Sequence, residues 1–318
     1  GLGTSTAAEA KEYFGHLSTH LINFEWTDDV SCNNAIDLAF SKKRADDRKS
    51  WILGMKENCY MDYAVSAVSY PTFVNDELIL FSYADNARSI PHVMDGFKPS
   101  QRKVLFSCIK RNLKNEIKVA QLAGYVSEHS AYHHGEMSLT QCIIGMAHDF
   151  VGSNNINLLS PCGQFGTRLM GGKDAASARY VCTKLESITR CIFHPEDDAL
   201  LNYLDEDGQA IEPDFYVPII PMLLVNGSDG IGTGWSTSVP TYNPRDLIKN
   251  LRNMIVGEPQ FEMSPWYRGF TGEIRAKTGK EFRNYVCSGN ADLLDDDTLM
   301  INELPIGKWT TDYKQMLE

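Results

Sequence analysis

No stretch of this 318-residue sequence is long and apolar enough to cross a bilayer as a helix, which takes about 20 residues. The longest strongly apolar run, Tyr216–Val225, has ten residues and is broken by Pro218 and Pro221. No membrane partner is expected. The eight cysteines (Cys32, Cys59, Cys108, Cys142, Cys162, Cys182, Cys191 and Cys287) contain no Cys-x-x-Cys and have no histidine at ligand spacing. That pattern argues against a zinc site and against a disulfide framework, and it fits a reducing compartment. The opening GLGTSTAAEAKEYF has no initiator methionine, no basic segment and no apolar core, so it reads as a piece of a longer polypeptide and not as a signal peptide. Internal repeats and low-complexity tracts are absent, and 43% hydrophobic with 22% charged residues excludes a disordered tail. The length predicts two or three folded domains.

Basic residues are also short overall, with a net charge of −11, which taken as an average speaks against a polyanion as partner. Charge acts locally, within a Debye length of about 10 Å, so its distribution matters more than its sum. Arg88 to Lys118 holds eight basic residues against two acids, whereas Glu196 to Asp214 holds eight acids and no base. One basic face and one repelling face would suit a nucleic-acid binder, although either stretch alone could be solvated surface.

Thr6 and Glu9 form a T-x-x-E capping box ahead of a helix over Ala7–Leu17. A second helix is predicted over Asn34–Leu53, and Tyr70–Tyr83 reads as two strands or an extended arm because it is rich in aromatic and branched residues. Pro99 and Ser100 open a helix with Val104, Leu105, Cys108 and Ile109 on one face and Lys103 and Lys110 on the other. Ser138 and Gln141 resemble the capping box of a core helix carrying Leu139, Cys142, Ile143, Met146, Ala147 and Phe150. Short helices followed by a glycine-rich, strand-forming stretch over Leu158–Phe193 are the pattern of a helix-turn-helix with a β-wing. Beyond Tyr216 short strands are expected, with a helix only over Pro244–Val256.

The segment Gly163–Leu185 combines four glycines with Arg168, Lys173 and Arg179 just before Tyr180. It is not a Walker A loop, because Gly172 stands where lysine is required and Asp174 follows Lys173. Gly230–Gly234 likewise misses the dinucleotide-binding spacing by one position. Tyr180 could attack phosphorus if a cation or base stabilised its phenolate, and Arg179 adjoins it. The pair His133–His134 could donate to a phosphoryl oxygen.

Four blocks carry a family resemblance: RSIPHVMDGFKPSQRKVLF (Arg88–Phe106), KVAQLAGYVSEHSAYHHGEMSL (Lys118–Leu139), FVGSNNINLLSPCGQFGTRLMGGKDAASARY (Phe150–Tyr180) and IIPMLLVNGSDGIGTGWS (Ile219–Ser236). They resemble eukaryotic type IIA DNA topoisomerases, and GLGTSTAAEAKEYF, AFSKKRADDRKSW and ELPIGKWTTDYK extend the likeness along the chain. The resemblance implies an α+β fold. It divides into the end of a TOPRIM region with a connector (1–86), a winged-helix DNA-binding domain (87–215) and part of a mixed α/β tower domain (216–318).

By the same resemblance Tyr180 is the nucleophile that forms a 5′-phosphotyrosyl link with DNA, Arg179 its transition-state stabiliser, and His134 a contact of the scissile phosphate. Arg88, Asp95, Lys98 and Arg102 match charged positions of the active region, with Lys98 and Arg102 expected on phosphates. Tyr132 and Ser138 match DNA contacts, Lys42 and Lys43 backbone contacts from the connector, and Ile231 an apolar wedge that bends the duplex. The implied partners are double-stranded DNA and a second copy of the same chain, in a homodimer that shares its active sites, and the implied compartment is the nucleus. Mg2+ would be held by TOPRIM residues and ATP by a further domain, both outside this sequence, so this piece is expected to bind DNA and cleave it poorly. Asp295, Asp296 and Asp297 are read as a solvated turn and not as a metal site. Two other classes remain open: a nucleotide-binding α/β enzyme and a non-catalytic architectural DNA binder.

Overall fold

The computed structural model describes residues 5–56, 60–277 and 284–318. Cys59 and residues 1–4 of the opening segment lie outside the described residues. The chain forms two compact units, one of residues 1–90 with 229–237 and one of 91–228 with 238–318.

In the first unit, helix α1 (Ala7–Gly15) starts at the expected capping box: Thr6 N donates to Glu9 Oε2 at 2.7 Å and Glu9 N to Thr6 Oγ1 at 3.3 Å. A single turn, α2 (Leu17–His20), follows, and strand β1 (Asn23–Glu25) pairs in parallel with β2 (Ala67–Ser69). The helix predicted over Asn34–Leu53 is two helices, α3 (Asp29–Phe40) and α4 (Ala45–Leu53), with a 3-10 turn at Lys42–Arg44 between them. Ser41 is extended at the break. The Arg48 guanidinium takes up carbonyls there, donating to Leu38 O (2.8 Å) and Ser41 O (2.9 Å), so a side chain replaces the lost helical partners.

The extended arm expected over Tyr70–Tyr83 is helical. Ser69 accepts from Thr72 N at 3.2 Å and Pro71 occupies the first turn, where its missing N–H costs nothing. Helix α5 (Tyr70–Phe73) therefore starts there, continues through a π-helical turn (Val74–Leu78) and becomes α6 (Ile79–Ser89). The branched residues that suggested strands are used for helix packing, with Val74 and Ile79 buried, while Phe24 of β1 packs on Tyr70 and Phe73.

The second unit is built on α7 (Pro99–Lys110), α8 (Val119–His129) and α9 (Glu136–Ala147), which share a core including Val104, Leu105, Val119, Leu122, Leu139 and Ile143. Burial pushes the Cys108 thiol up to about 12 and that of Cys142 up to about 11, so both behave as apolar core side chains. Helix α9 begins three residues earlier than expected, with Gly135 as its N-cap; Ser138 sits inside the first turn and makes no capping box. The stretch 158–193 is mostly turns, with strand β4 (Cys182–Thr183) paired antiparallel to β3 (Ile117–Lys118) and a single helical turn, α10 (Thr189–Ile192).

Next comes the hairpin of β5 (Tyr203–Glu206) and β6 (Gln209–Pro213). Inside the apolar run that reads as strand lies a short helix, α11 (Met222–Asn226). Tyr216, Met222 and Val225 join the α7–α9 core. Strands β7 (Ser228–Ile231) and β8 (Ser236–Val239) form a ribbon whose tip belongs to the first unit.

Helix α12 (Pro244–Val256) has the predicted bounds: Asn243 Oδ1 accepts from Arg245 N at 3.0 Å, Pro244 occupies the first turn, and Gly257 in the left-handed region closes the end. Two antiparallel hairpins follow, β9 (Glu273–Ala276) with β10 (Tyr285–Ser288) and β11 (Asn290–Leu293) with β12 (Leu299–Glu303), and then α13 (Thr310–Leu317). All the sheets among the described residues are two-stranded.

Candidate functional site

Tyr180 stands on a turn, with its N–H donating to Ser177 O at 2.9 Å. The turn is fastened to the start of α8. The N–H groups of Val119 and Ala120, which an α-helix leaves without internal partners, donate to Val181 O and Ala178 O, each at 3.0 Å. On the other side Cys182 and Cys162 exchange backbone bonds of 2.9 and 3.0 Å. Alternation along this clamped stretch buries Val181 at 2% exposure and projects Tyr180 outward at 80%. Its hydroxyl has no hydrogen-bond partner among the described residues, and Arg179 beside it is exposed with no ion pair. An accessible phenol next to an uncommitted guanidinium is the arrangement a phosphoryl-directed nucleophile requires.

His134 is exposed on the loop between α8 and α9, edge-on to Tyr132 with ring centroids 5.4 Å apart. Ala131, with φ of 48°, turns the chain there. Among the described residues no hydrogen bond, ion pair or ring contact joins His134 to Arg179 or Tyr180, so the structure brings two of the three expected catalytic residues together and leaves the third on the neighbouring loop.

Lys98 is half-buried at the start of α7, its backbone N–H donating to Gln101 Oε1 at 2.9 Å, and its ammonium has no ion pair among the described residues. Arg102 differs from expectation. It is 6% exposed, and its guanidinium donates to Asp95 Oδ2 (2.7 Å), Asp95 Oδ1 (3.0 Å) and Phe97 O (3.0 Å). Its charge is neutralised inside the fold, so it is an internal brace and not a phosphate contact. Lys103, expected on an open positive face, is likewise committed, bonding Glu212 Oε2 at 2.9 Å and Ser130 O. Tyr132 also departs from a free DNA contact, since its ring is part of the core and its hydroxyl donates to Ser138 Oγ at 3.4 Å; Ser138 itself is exposed.

In the first unit Lys42 and Lys43 lie on the 3-10 turn without ion pairs among the described residues, because Arg44 and Arg48 make the local bonds instead. Ile231, at 83% exposure, is the most prominent apolar side chain of the β7–β8 tip. Two residues of α6 hold that tip: Asn86 Nδ2 donates to Thr233 O at 3.0 Å, and Asp85 Oδ2 accepts from Thr233 Oγ1 at 3.0 Å. Asp85 also lies 3.8 Å from Arg88, whose guanidinium sits over the Phe81 ring. Arg88 and the tip that presents Ile231 thus share one carboxylate. Asp85 and Asn86 carry no motif that would have marked them in the sequence.

The glycine-rich loop is closed on itself. A side chain at Gly166 would strike the Gly172 backbone at 2.5 Å, and Thr167 donates through N and Oγ1 to the Asp174 carboxylate. Arg168 pairs with the buried carboxylate of Glu303, so it too is unavailable to a phosphate. Asp295 Oδ1 accepts from Asp297 N at 3.0 Å in the β11–β12 turn, and no cluster of three or more His, Cys, Asp or Glu side chains suited to a metal occurs among the described residues.

The exposed tyrosine–arginine pair sits on a turn fastened to a helix N-terminus, in a mixed helical and small-sheet fold. Residues 88–318 match the family model for the A subunit of DNA gyrase/topoisomerase IV, and residues 1–86 match the C-terminal associated domain of TOPRIM. The chain belongs to this DNA gyrase/topoisomerase IV family of type II topoisomerases.

It is 56% identical to DNA topoisomerase 2 of Plasmodium falciparum, 55% to that of Arabidopsis thaliana and 54% to that of Saccharomyces cerevisiae. Each alignment covers 100% of this chain and 22% of the relative, so the chain spans about a fifth of their length. The crystal structure of the Plasmodium falciparum topoisomerase II DNA-binding, cleavage and re-ligation domain superposes with a TM-score of 0.81 at 55% identity, covering 100% of this chain and 43% of that one.

Proposed function

We propose that this chain is the DNA-binding and strand-cleaving module of an ATP-dependent type II DNA topoisomerase. The observation that carries the reading is Tyr180, exposed and unbonded beside an unpaired Arg179 in a chain 55% identical to a solved DNA-cleavage domain. In this reading the Tyr180 oxygen bonds to a backbone phosphorus of duplex DNA while the bond from phosphorus to the 3′ oxygen breaks. The phenol gives up its proton and the departing 3′ oxygen gains one. One phosphodiester replaces another, so resealing needs no energy input, and the protein's task is positioning and charge neutralisation. Arg179 and His134 would neutralise the phosphoryl oxygens, and Lys42, Lys43, Arg88 and Lys98 would hold the backbone. Ile231 would enter a base step and bend the duplex, which costs a few kcal/mol of unstacking that contacts along the bent DNA offset.

We read α7–α9 with the β3–β4 ribbon as the winged-helix part, bounded by 87 and 215, between a TOPRIM-associated segment (1–86) and a tower portion (216–318). No step is assigned to Mg2+ or ATP, and we place both on other parts of the full-length protein. The same reading makes the working protein a nuclear homodimer in which Tyr180 of one protomer meets the metal held by the other. The architectural alternative retains the basic residues and Ile231 but forms no covalent link.

The deciding experiment uses the full-length protein. Denaturant trapping with end-labelled DNA should give a covalent adduct mapping to Tyr180, and Tyr180→Phe should remove it while DNA binding persists. An adduct that survives the substitution would overturn the assignment.

A further inference from the structure

We infer that Glu206 is a positioning residue for DNA cleavage, acting through His133 to set the loop that presents His134. This inference rests on the function proposed above and extends it to a part of the molecule that otherwise looks like repelling surface, the acidic stretch from Glu196 to Asp214.

In the loop from Ser130 to Gly135, Ser130 N donates to Val126 O at 3.0 Å, Tyr132 N to Ser127 O at 3.3 Å and Ser127 Oγ back to Tyr132 O at 3.3 Å, but among the described residues no hydrogen bond reaches the backbone of His133 or His134. Support for that part comes from the β5–β6 hairpin. Asp207 (φ 52°) and Gly208 (φ 80°) make the two-residue connection with both residues in the left-handed region, a turn that matches strand twist and fixes Glu206 opposite Gln209. From these paired positions Gln209 Nε2 donates to His129 O at 3.2 Å, and the Glu206 carboxylate lies 2.5 Å from His133 Nε2. Farther along β6, Glu212 is buried and pairs with Lys103, whose ammonium also reaches Ser130 O. The hairpin therefore bonds His129 at the end of α8 and His133 in the loop directly, and reaches Ser130 through Lys103.

The chemistry of the Glu206 contact fixes a ring as well as a backbone. An ionised carboxylate only accepts, so Nε2 of His133 must carry the proton and donate it. His133 is thereby turned toward the acidic hairpin, and His134, the next residue, is left exposed against the edge of Tyr132. Catalytic groups lose large factors in rate when displaced by about 1 Å, so a brace one residue away acts on the chemical step more than on affinity.

The test is single-turnover adduct formation by the full-length protein at saturating DNA. Glu206→Ala should slow the step by about 10- to 100-fold with DNA affinity and denaturation midpoint unchanged. Glu206→Gln, which keeps an accepting oxygen, should restore the rate to within about threefold. Glu196→Ala, which removes an equal charge from the same stretch, should leave it unaltered. His133→Asn should match Glu206→Ala, and the double variant should be no slower than either single one. The inference is overturned if Glu206→Ala cleaves at the normal rate, if Glu206→Gln fails to restore it, if Glu196→Ala is equally slow, or if the two losses multiply. Should the unsubstituted protein itself form no Tyr180 adduct, the proposed function fails instead, so the two failures are distinguishable.

Discussion

The Asp95 carboxylate accepts four hydrogen bonds at once, two from the Arg102 guanidinium and one each from the N–H groups of Phe97 and Tyr216. Both side chains are buried, so neither charge can be left alone without a large desolvation cost. Replacing Arg102 by alanine strands the Asp95 charge and should destabilise the fold by about 3–5 kcal/mol, read as a lower urea midpoint. The dependence of DNA affinity on salt should keep its slope, because this guanidinium never faced a phosphate.

Lys98 is four residues earlier and has no carboxylate among the described residues to share its charge. Lys98→Ala should leave the urea midpoint almost unchanged and lower the slope of log affinity against log salt by about one. Affinity measured at several salt concentrations separates the two residues: a slope that changes for Arg102→Ala and not for Lys98→Ala would reverse their assignment.

Exposure at Tyr180 makes a second separation possible, between chemistry and folding. Its hydroxyl makes no hydrogen bond among the described residues, and a surface change of one oxygen shifts stability by no more than about 0.5 kcal/mol. Tyr180→Phe should therefore melt at the same temperature as the unsubstituted protein while losing the covalent adduct. Val181→Ala should do the opposite, since Val181 is buried and a lost pair of core methyls costs about 1–3 kcal/mol.

Local patterns in the sequence carried the helices that have local causes. Pro244 with Asn243 before it and Gly257 behind it marks α12 to the residue, and Thr6 with Glu9 marks the start of α1. Composition misled at Tyr70–Tyr83, where branched and aromatic residues fill a helix face because Ser69 and Pro71 start a helix before any strand can pair. The site divides in the same way. Tyr180 beside Arg179 is legible because the two are adjacent, whereas the fate of Lys103 depends on Glu212, 109 positions away. Arg102 and Lys98 look equivalent in the sequence, and only the packing of Asp95 under α7 tells them apart. Asp207–Gly208 is a dipeptide suited to a tight hairpin turn, but what the hairpin touches depends on residues far away in the sequence.

His148 gives a pH dependence with a definite sign. Burial is the main cause that lowers its pKa from 6.5, opposed by a backbone contact with Phe165 and by Asp149 and Asp174, and its buried Nε2 has no partner among the described residues. The folded state then binds fewer protons than the unfolded chain in this range, so the contribution to stability is full above about pH 6.5 and declines as pH falls toward the lowered folded value. Urea midpoints taken between about pH 7 and pH 5 should fall with acidity, and His148→Gln should flatten that part of the curve. A curve unaffected by the substitution would mean that another group controls it.

Ile231 and Gly232 are neighbours on the β7–β8 tip, yet substitutions there should fail in different ways. Ile231 is 83% exposed, so Ile231→Ala removes a wedge and almost no packing: the melting temperature should hold, while the bend in bound duplex, followed by energy transfer between dyes on its two ends, should decrease. At Gly232 a Cβ would lie 2.1 Å from Asn86 Oδ1, the side chain whose amide holds Thr233 O. Gly232→Ala must therefore push Asn86 off the tip and loosen the frame that presents Ile231, losing both stability and bending. Shortening the residue at 86 as well, in Gly232→Ala with Asn86→Ala, relieves the collision without restoring the hydrogen bond. Stability should then recover in part, and the bend should stay small, because an apolar wedge transmits force to a base step only when the backbone behind it is held.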